Sequence, residues 1–113
     1  MTATAIARKL EAIQTKGAMR AADIANLLGT RPETVSRWNQ GKAFPRPDTE
    51  KQLLDLEYIV DQLSDFYEPQ EARLWLFSRQ KPLHGERPAD LIHQGRALEV
   101  IGVIDQLRDG VYI

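Results

Sequence analysis

The sequence predicts an all-α fold, with an N-terminal helix-turn-helix bundle packed against a C-terminal helical region. Three observations carry that prediction. Apolar residues recur three and four positions apart through most of the chain. Helix-start chemistry precedes these runs, as Thr-x-x-Glu or Thr-x-x-Gln pairs and as prolines suited to a first helical turn. Glycines stand where the runs break.

Taken in order, Ile6, Leu10 and Ile13 at i, i+4 and i+7 predict a first helix over residues 3–15, ending near Gly17 and buttressing the next two helices. Residues 21–45, AADIANLLGTRPETVSRWNQGKAFP, then lay out two short helices and a tight turn. Ile24, Ala25 and Leu28 form one apolar face, Gly29 supplies the positive φ that the turn needs, and Val35 and Trp38 form the matching face. Thr30 and Glu33 form a capping box that starts the second helix. The run AFPRPDT holds two prolines and an N-cap at Asp48 or Thr49, the latter paired with Gln52. From Glu50 to about Phe66, Leu53, Leu56, Ile59, Val60, Leu63 and Phe66 predict a long helix with a broad apolar stripe. That stripe serves either the core alone or the core and a dimer seam. Pro69 opens a helix carrying Leu74, Trp75 and Phe77, and Pro82, Gly85 and Pro88 mark a turn-rich loop. Pro88 and Asp90 start a short helix through Ile92, Gly95 ends it, and a final helix over 96–109 presents Leu98, Ile101, Ile104 and Leu107. The chain closes on Gly110, Val111, Tyr112 and Ile113, an apolar tail expected to dock on its own core or on a partner.

The second helix of the 21–45 unit turns polar residues outward. Arg31, Thr34, Ser36, Arg37 and Gln40 are side-chain types that contact DNA, Arg37 being suited to guanine and Gln40 to adenine; Lys42 lies just beyond as a phosphate contact. Glu33 faces the same way but is assigned to the cap. Charge is distributed to match: residues 1–46 carry eight Lys/Arg against three Asp/Glu, and residues 47–113 carry seven against thirteen, although the net charge is only −1. A basic half and an acidic half imply two surfaces with different partners. Separately from the charge split, we divide the chain into residues 1–67, for DNA binding and dimerisation, and residues 68–113, for a second partner. A helix-turn-helix of this size gains useful operator affinity as a homodimer on two half-sites.

Several functions are disfavoured. With no cysteine there are no disulfides or thiolate metal sites, and no signal peptide or apolar span of about 20 residues is present, which predicts a soluble cytoplasmic protein. His84 and His93, nine residues apart with Asp90 between them, do not have a metal-ligand spacing, and no nucleophile elbow or phosphate-binding glycine loop occurs. Neither an enzyme nor a cofactor or metal site is expected.

LWLFSRQKPLHGERPADLI, a subsequent glycine, VIGVIDQL and the terminal GVYI, together with the helix-turn-helix, resemble the Xre/MbcA/ParS antitoxins over nearly the whole chain. The specific part is the conjunction of Trp75, Pro82-Leu83, Gly85, Pro88, Leu91 and Gly95. The resemblance implies an Xre-like N-terminal bundle and a type II antitoxin whose partner is a RES-domain toxin that consumes NAD, so that NAD belongs to the partner. It also implies a homodimer, a hetero-oligomer with the toxin and regulation of its own operon. On the family pattern the segment from Trp75 onward covers the toxin's active site, with Pro82, Leu83, Gly85, Arg87, Gly110, Val111, Tyr112 and Ile113 as toxin-binding residues. Trp75 itself reads more readily as core. Two alternatives stay open: a stand-alone repressor with a C-terminal dimerisation or sensing module, and an antitoxin that has lost operator binding.

Overall fold

A computed structural model describes residues 3–110, with side chains from Ala5 onward, and four of its seven α-helices open on a proline. The helices are α1 (Ala3–Gly17), α2 (Ala21–Leu28), α3 (Pro32–Asn39), α4 (Pro47–Leu63), α5 (Pro69–Phe77), α6 (Pro88–His93) and α7 (Ala97–Arg108), with a 3₁₀ turn at Lys81–Leu83. There is no strand among the described residues; the pairing of Gln80 with Glu86 is an isolated bridge. Each proline brings a φ already set for a first helical turn and needs no N–H there. It also holds the preceding residue extended.

This proline rule corrects two expected caps. Arg31, at φ −109° and ψ 151°, is the N-cap of α3, and Arg46, at φ −64° and ψ 159°, is the N-cap of α4. The expected Thr30–Glu33 box therefore does not form, and Thr49 lies inside α4 rather than at its cap. The boundary of α4 moves to residues 47–63, which leaves Phe66 outside the helix. There Phe66 is 41 % exposed, with the Arg108 guanidinium 5.2 Å from its ring centroid.

The core is continuous from end to end. Ile6, Leu10 and Ile13 of α1 are buried with Leu53, Leu56 and Val60 of α4, while α4 also packs against α7. Short α6 is the junction: it touches α2, α4, α5 and α7, and its Leu91 and Ile92 are essentially inaccessible. The apolar stripe of α4 is thus occupied within the chain, with Leu53, Leu56, Ile59, Val60 and Leu63 all buried. Arg73 of α5 reaches back to Asp23 of α2 at 2.9 Å and lies 5.1 Å from the Phe77 ring centroid, a further tie between the two halves.

Two helices bury a different face from the one expected. Final helix α7 buries Ala97, Val100, Val103 and Ile104, leaving Leu98 80 % exposed. In α5 the buried positions are Ala72 and Leu76, with Leu74 68 % exposed and Trp75 and Phe77 packed partly against the core. The partial burial of Trp75 agrees with its reading as a core residue.

Gly29 does adopt the left-handed conformation, at φ 68°. A Cβ there would also come within 3.2 Å of His93 Cε1 on α6. Gly29→Ala is expected to cost about 1–2 kcal/mol from the backbone alone, with any displacement of His93 adding to it. Urea unfolding checks this; an unchanged midpoint would show that the turn relaxes without strain.

Candidate functional site

Helix α3 presents its polar face because Val35 and Trp38, on the opposite side, are held in the core against the α2 and α1 helices. Arg31, Ser36, Arg37 and Gln40 are exposed, as is Lys42 just beyond the helix. Thr34 departs from the expectation: it is half-buried and lines a cleft beside Trp38 instead of standing fully outward. Among the described residues, no carboxylate pairs with Arg31, Arg37, Lys42 or Arg46. Lys9, Lys16, Lys51, Arg73, Arg87, Arg96 and Arg108 each have a carboxylate within 3.9 Å. The basic stretch from 31 to 46 therefore keeps its charge available to an outside anion.

The C-terminal surface is built around the loop at residues 80–86. Gln80 N–H donates to the Glu86 carbonyl at 3.1 Å and Gly85 N–H to the Gln80 carbonyl at 3.0 Å, closing the loop on itself. Gln80 Nε2 donates to the Trp75 carbonyl at 3.0 Å, which ties the loop to the end of α5. Leu83 is the loop's anchor, 4 % exposed and in the core, so it shapes the expected surface without forming part of it. Pro82 and Gly85 are half-exposed, and Arg87 is exposed with Asp90 3.7 Å away. Between this loop and α7 runs a groove of about 270 Å³ that includes Pro82, His84, Glu99 and Gly102. Arg96 donates to both Glu99 oxygens, at 2.7 and 2.9 Å, and those bonds hold the Glu99 carboxyl below the usual carboxylate range. The pairing is present at neutral pH and is lost as pH falls through that lowered pKa. Gly110 is exposed at φ 78°, while Val111, Tyr112 and Ile113 lie outside the described residues.

No family model matches the chain. It is 29 % identical over 91 residues to the mycobacterial cidal antitoxin MbcA of Mycobacterium tuberculosis and to that of Mycobacterium bovis, covering 80 % of this chain and 80 % of each relative. A second M. tuberculosis protein, named as a "probable mycobacterial cidal antitoxin", is 30 % identical over 91 residues, covering 80 % of this chain and 77 % of the relative. The chain belongs to the mycobacterial cidal antitoxin family. The fold agrees: a chain in the crystal structure of the M. tuberculosis MbcT–MbcA toxin–antitoxin complex matches with a TM-score of 0.85 at 27 % identity, over 96 % of both chains. Cidal antitoxins of this family are not enzymes, in line with the expectation from sequence. No helix among the described residues is long and apolar enough to cross a membrane.

Three features of this cidal antitoxin are not evident from its sequence. Arg46 sits in a proline-flanked stretch that reads as a linker, yet it caps α4 beside the basic surface. Thr30, expected as a cap, instead lines the cleft beside Trp38. The third is a surface groove of about 420 Å³ between α2, α5 and α6, lined by Asn26, Leu27, Phe77, Arg87, Asp90 and His93. His93 Nδ1 lies 3.3 Å from the Leu27 carbonyl, which can accept a ring N–H. A proline at N1 was the available signal for Arg46; nothing in the local pattern marks the groove, which brings together residues up to 67 positions apart.

Proposed function

We propose that this antitoxin neutralises a RES-domain, NAD-consuming toxin by covering its active site with the region from Trp75 onward, and that it binds operator DNA through α2 and α3 to regulate its own operon in the cytoplasm. Support for the toxin arm is its likeness to a chain of the MbcT–MbcA complex over 96 % of its length. Inhibition of this kind is steric and requires no chemistry from the antitoxin. The surface around Pro82, Gly85, Arg87 and Gly110, continued by the tail from Val111 to Ile113, is the proposed cover. A few buried anchors carry most of the energy at such an interface, and Tyr112 is the aromatic candidate in the tail.

The DNA arm rests on the four unpaired cations at 31–46 beside the exposed face of α3. Homodimerisation would place two such faces on successive half-sites. Its binding should weaken with salt in proportion to the phosphates neutralised.

Cellular NAD, measured after inducing the reading frame adjacent to this antitoxin's gene with and without the antitoxin, tests the toxin arm. NAD collapse that the antitoxin prevents is the expected outcome; no NAD loss from an expressed neighbour would overturn it. For the DNA arm, Arg37→Ala and Gln40→Ala are each expected to cost about 1–3 kcal/mol of operator discrimination while neutralisation is retained. Unchanged operator affinity in both variants would remove α3 as the reading element.

A further inference from the structure

The cleft between the α2–α3 turn and the start of α4 has a volume of about 360 Å³ and gathers hydrogen-bonding groups that the protein itself does not use. Thr30, Thr34 and Thr49 line it, and none of their hydroxyls has a hydrogen-bond partner among the described residues. The prolines at Pro32 and Pro47 explain this for two of them, since capping by Arg31 and Arg46 leaves Thr30 and Thr49 without a capping role.

The decisive group is Trp38. Its side chain is packed in the core at 4 % exposure, and it also lines this cleft. Its indole N–H has no acceptor among the described residues, yet no side-chain nitrogen or oxygen among them is both sealed from solvent and unpartnered. The N–H therefore keeps some access to solvent, and the cleft is an open space that Trp38 lines. An indole can only donate, and a rigid donor beside three hydroxyls asks for a ligand rich in acceptors. Arg46 adds an unpaired positive charge, and the N-terminal end of the α4 dipole adds to it. Asp48 is the acidic residue in the lining, and its Oδ1 is occupied by the Thr49 N–H at 2.9 Å.

We propose that this cleft seats a backbone phosphate of duplex DNA, with the Trp38 indole N–H and the threonine hydroxyls donating to its anionic oxygens and Arg46 neutralising its charge. The inference rests on the DNA-binding reading and adds a positioning contact beside the base-reading face of α3. Hydrogen bonds to a phosphate carry no sequence information, but they fix the register in which α3 enters the groove. Phe44, 56 % exposed in the same lining, is placed to cover the neighbouring sugar.

The test uses the full chain, a labelled duplex of about four helical turns from upstream of its own gene, and a scrambled duplex of equal length. Trp38→Phe removes the indole N–H, and Thr49→Val removes a hydroxyl while keeping its shape. Each is expected to weaken binding to both duplexes equally, by about tenfold for a hydrogen bond to a charged group. Arg46→Gln should flatten the dependence of log K on log salt by about one. Arg37→Ala should instead weaken the upstream duplex more than the scrambled one. If Trp38→Phe lowers the melting temperature, Thr49→Val decides the matter. Wild-type affinity in Thr49→Val and Trp38→Phe, with Arg37→Ala still impaired, would overturn the phosphate cleft and leave the DNA reading standing. Absence of wild-type binding to either duplex at low salt would overturn both. Titration of the Trp38 indole N–H resonance by millimolar inorganic phosphate, with DNA affinity unchanged in the variants, would assign the cleft to a free anion and overturn the proposal.

Discussion

Leu91→Ala is expected to destabilise the whole molecule by about 2–5 kcal/mol, the cost of emptying a fully buried leucine site. Leu91 has no accessible surface, and its helix α6 touches α2, α4, α5 and α7. A domain of this size has a total stability of about 5–15 kcal/mol, so the variant loses a large part of it. Because the core runs unbroken from Ile6 to Ile104, the loss should appear as one transition moved to lower urea concentration, with α3 and the C-terminal region losing structure together. Residues 1–67 and 68–113 would then be two functional regions on one folding unit. Two separated transitions, only one of them moved by the substitution, would show that the halves fold independently.

Removing residues 110–113 should leave that stability nearly intact and strike at neutralisation. A single aromatic anchor at an interface is worth about 2 kcal/mol or more, which is about 30-fold in affinity. The truncated antitoxin is therefore expected to bind its purified toxin at least about 30-fold more weakly and to fail in rescuing growth at matched expression, while its affinity for operator DNA is kept. Full rescue by the truncated chain would place the inhibitory contact elsewhere, with the loop at residues 80–86 and the exposed Leu98 of α7 as the next surfaces to alter. A parallel loss of DNA affinity would instead mean that the tail supports the dimer.

The first experiment asks whether the two regions fold as one unit, and the second whether their functions separate. Apart from Thr34, the exposed positions of α3 were readable because Val35 and Trp38 define its buried side, and once one side of a helix is fixed the other is set by its period. Gly29 was equally readable, since a left-handed residue between two apolar faces is a local requirement. The cleft was not. Thr30, Trp38, Arg46 and Thr49 lie within 20 residues but on different elements, and their common property, donors and charge without partners, exists only after packing has decided which of their neighbours are occupied.

The local sequence by itself determined the all-helical class, where the principal turns fall, and most of the residues by which α1 to α4 enter the core, Leu27 being missed, because a dominant apolar face on each helix leaves little choice. Tertiary structure alone decided the orientation of α5 and α7. In α7, ALEVIGVIDQLR is apolar on more than one side, so Leu98, Ile101, Ile104 and Leu107 fit a helical stripe as well as Ala97, Val100, Val103 and Ile104 do. Periodicity cannot rank two such faces. Contact with α4, α6 and the 3₁₀ turn does, by rewarding the side whose smaller residues allow close approach. The same contacts leave Leu98 in solvent and hold Leu83 inside the loop that was expected to present it, while the packing of α5 against α1 and α6 leaves Leu74 outside.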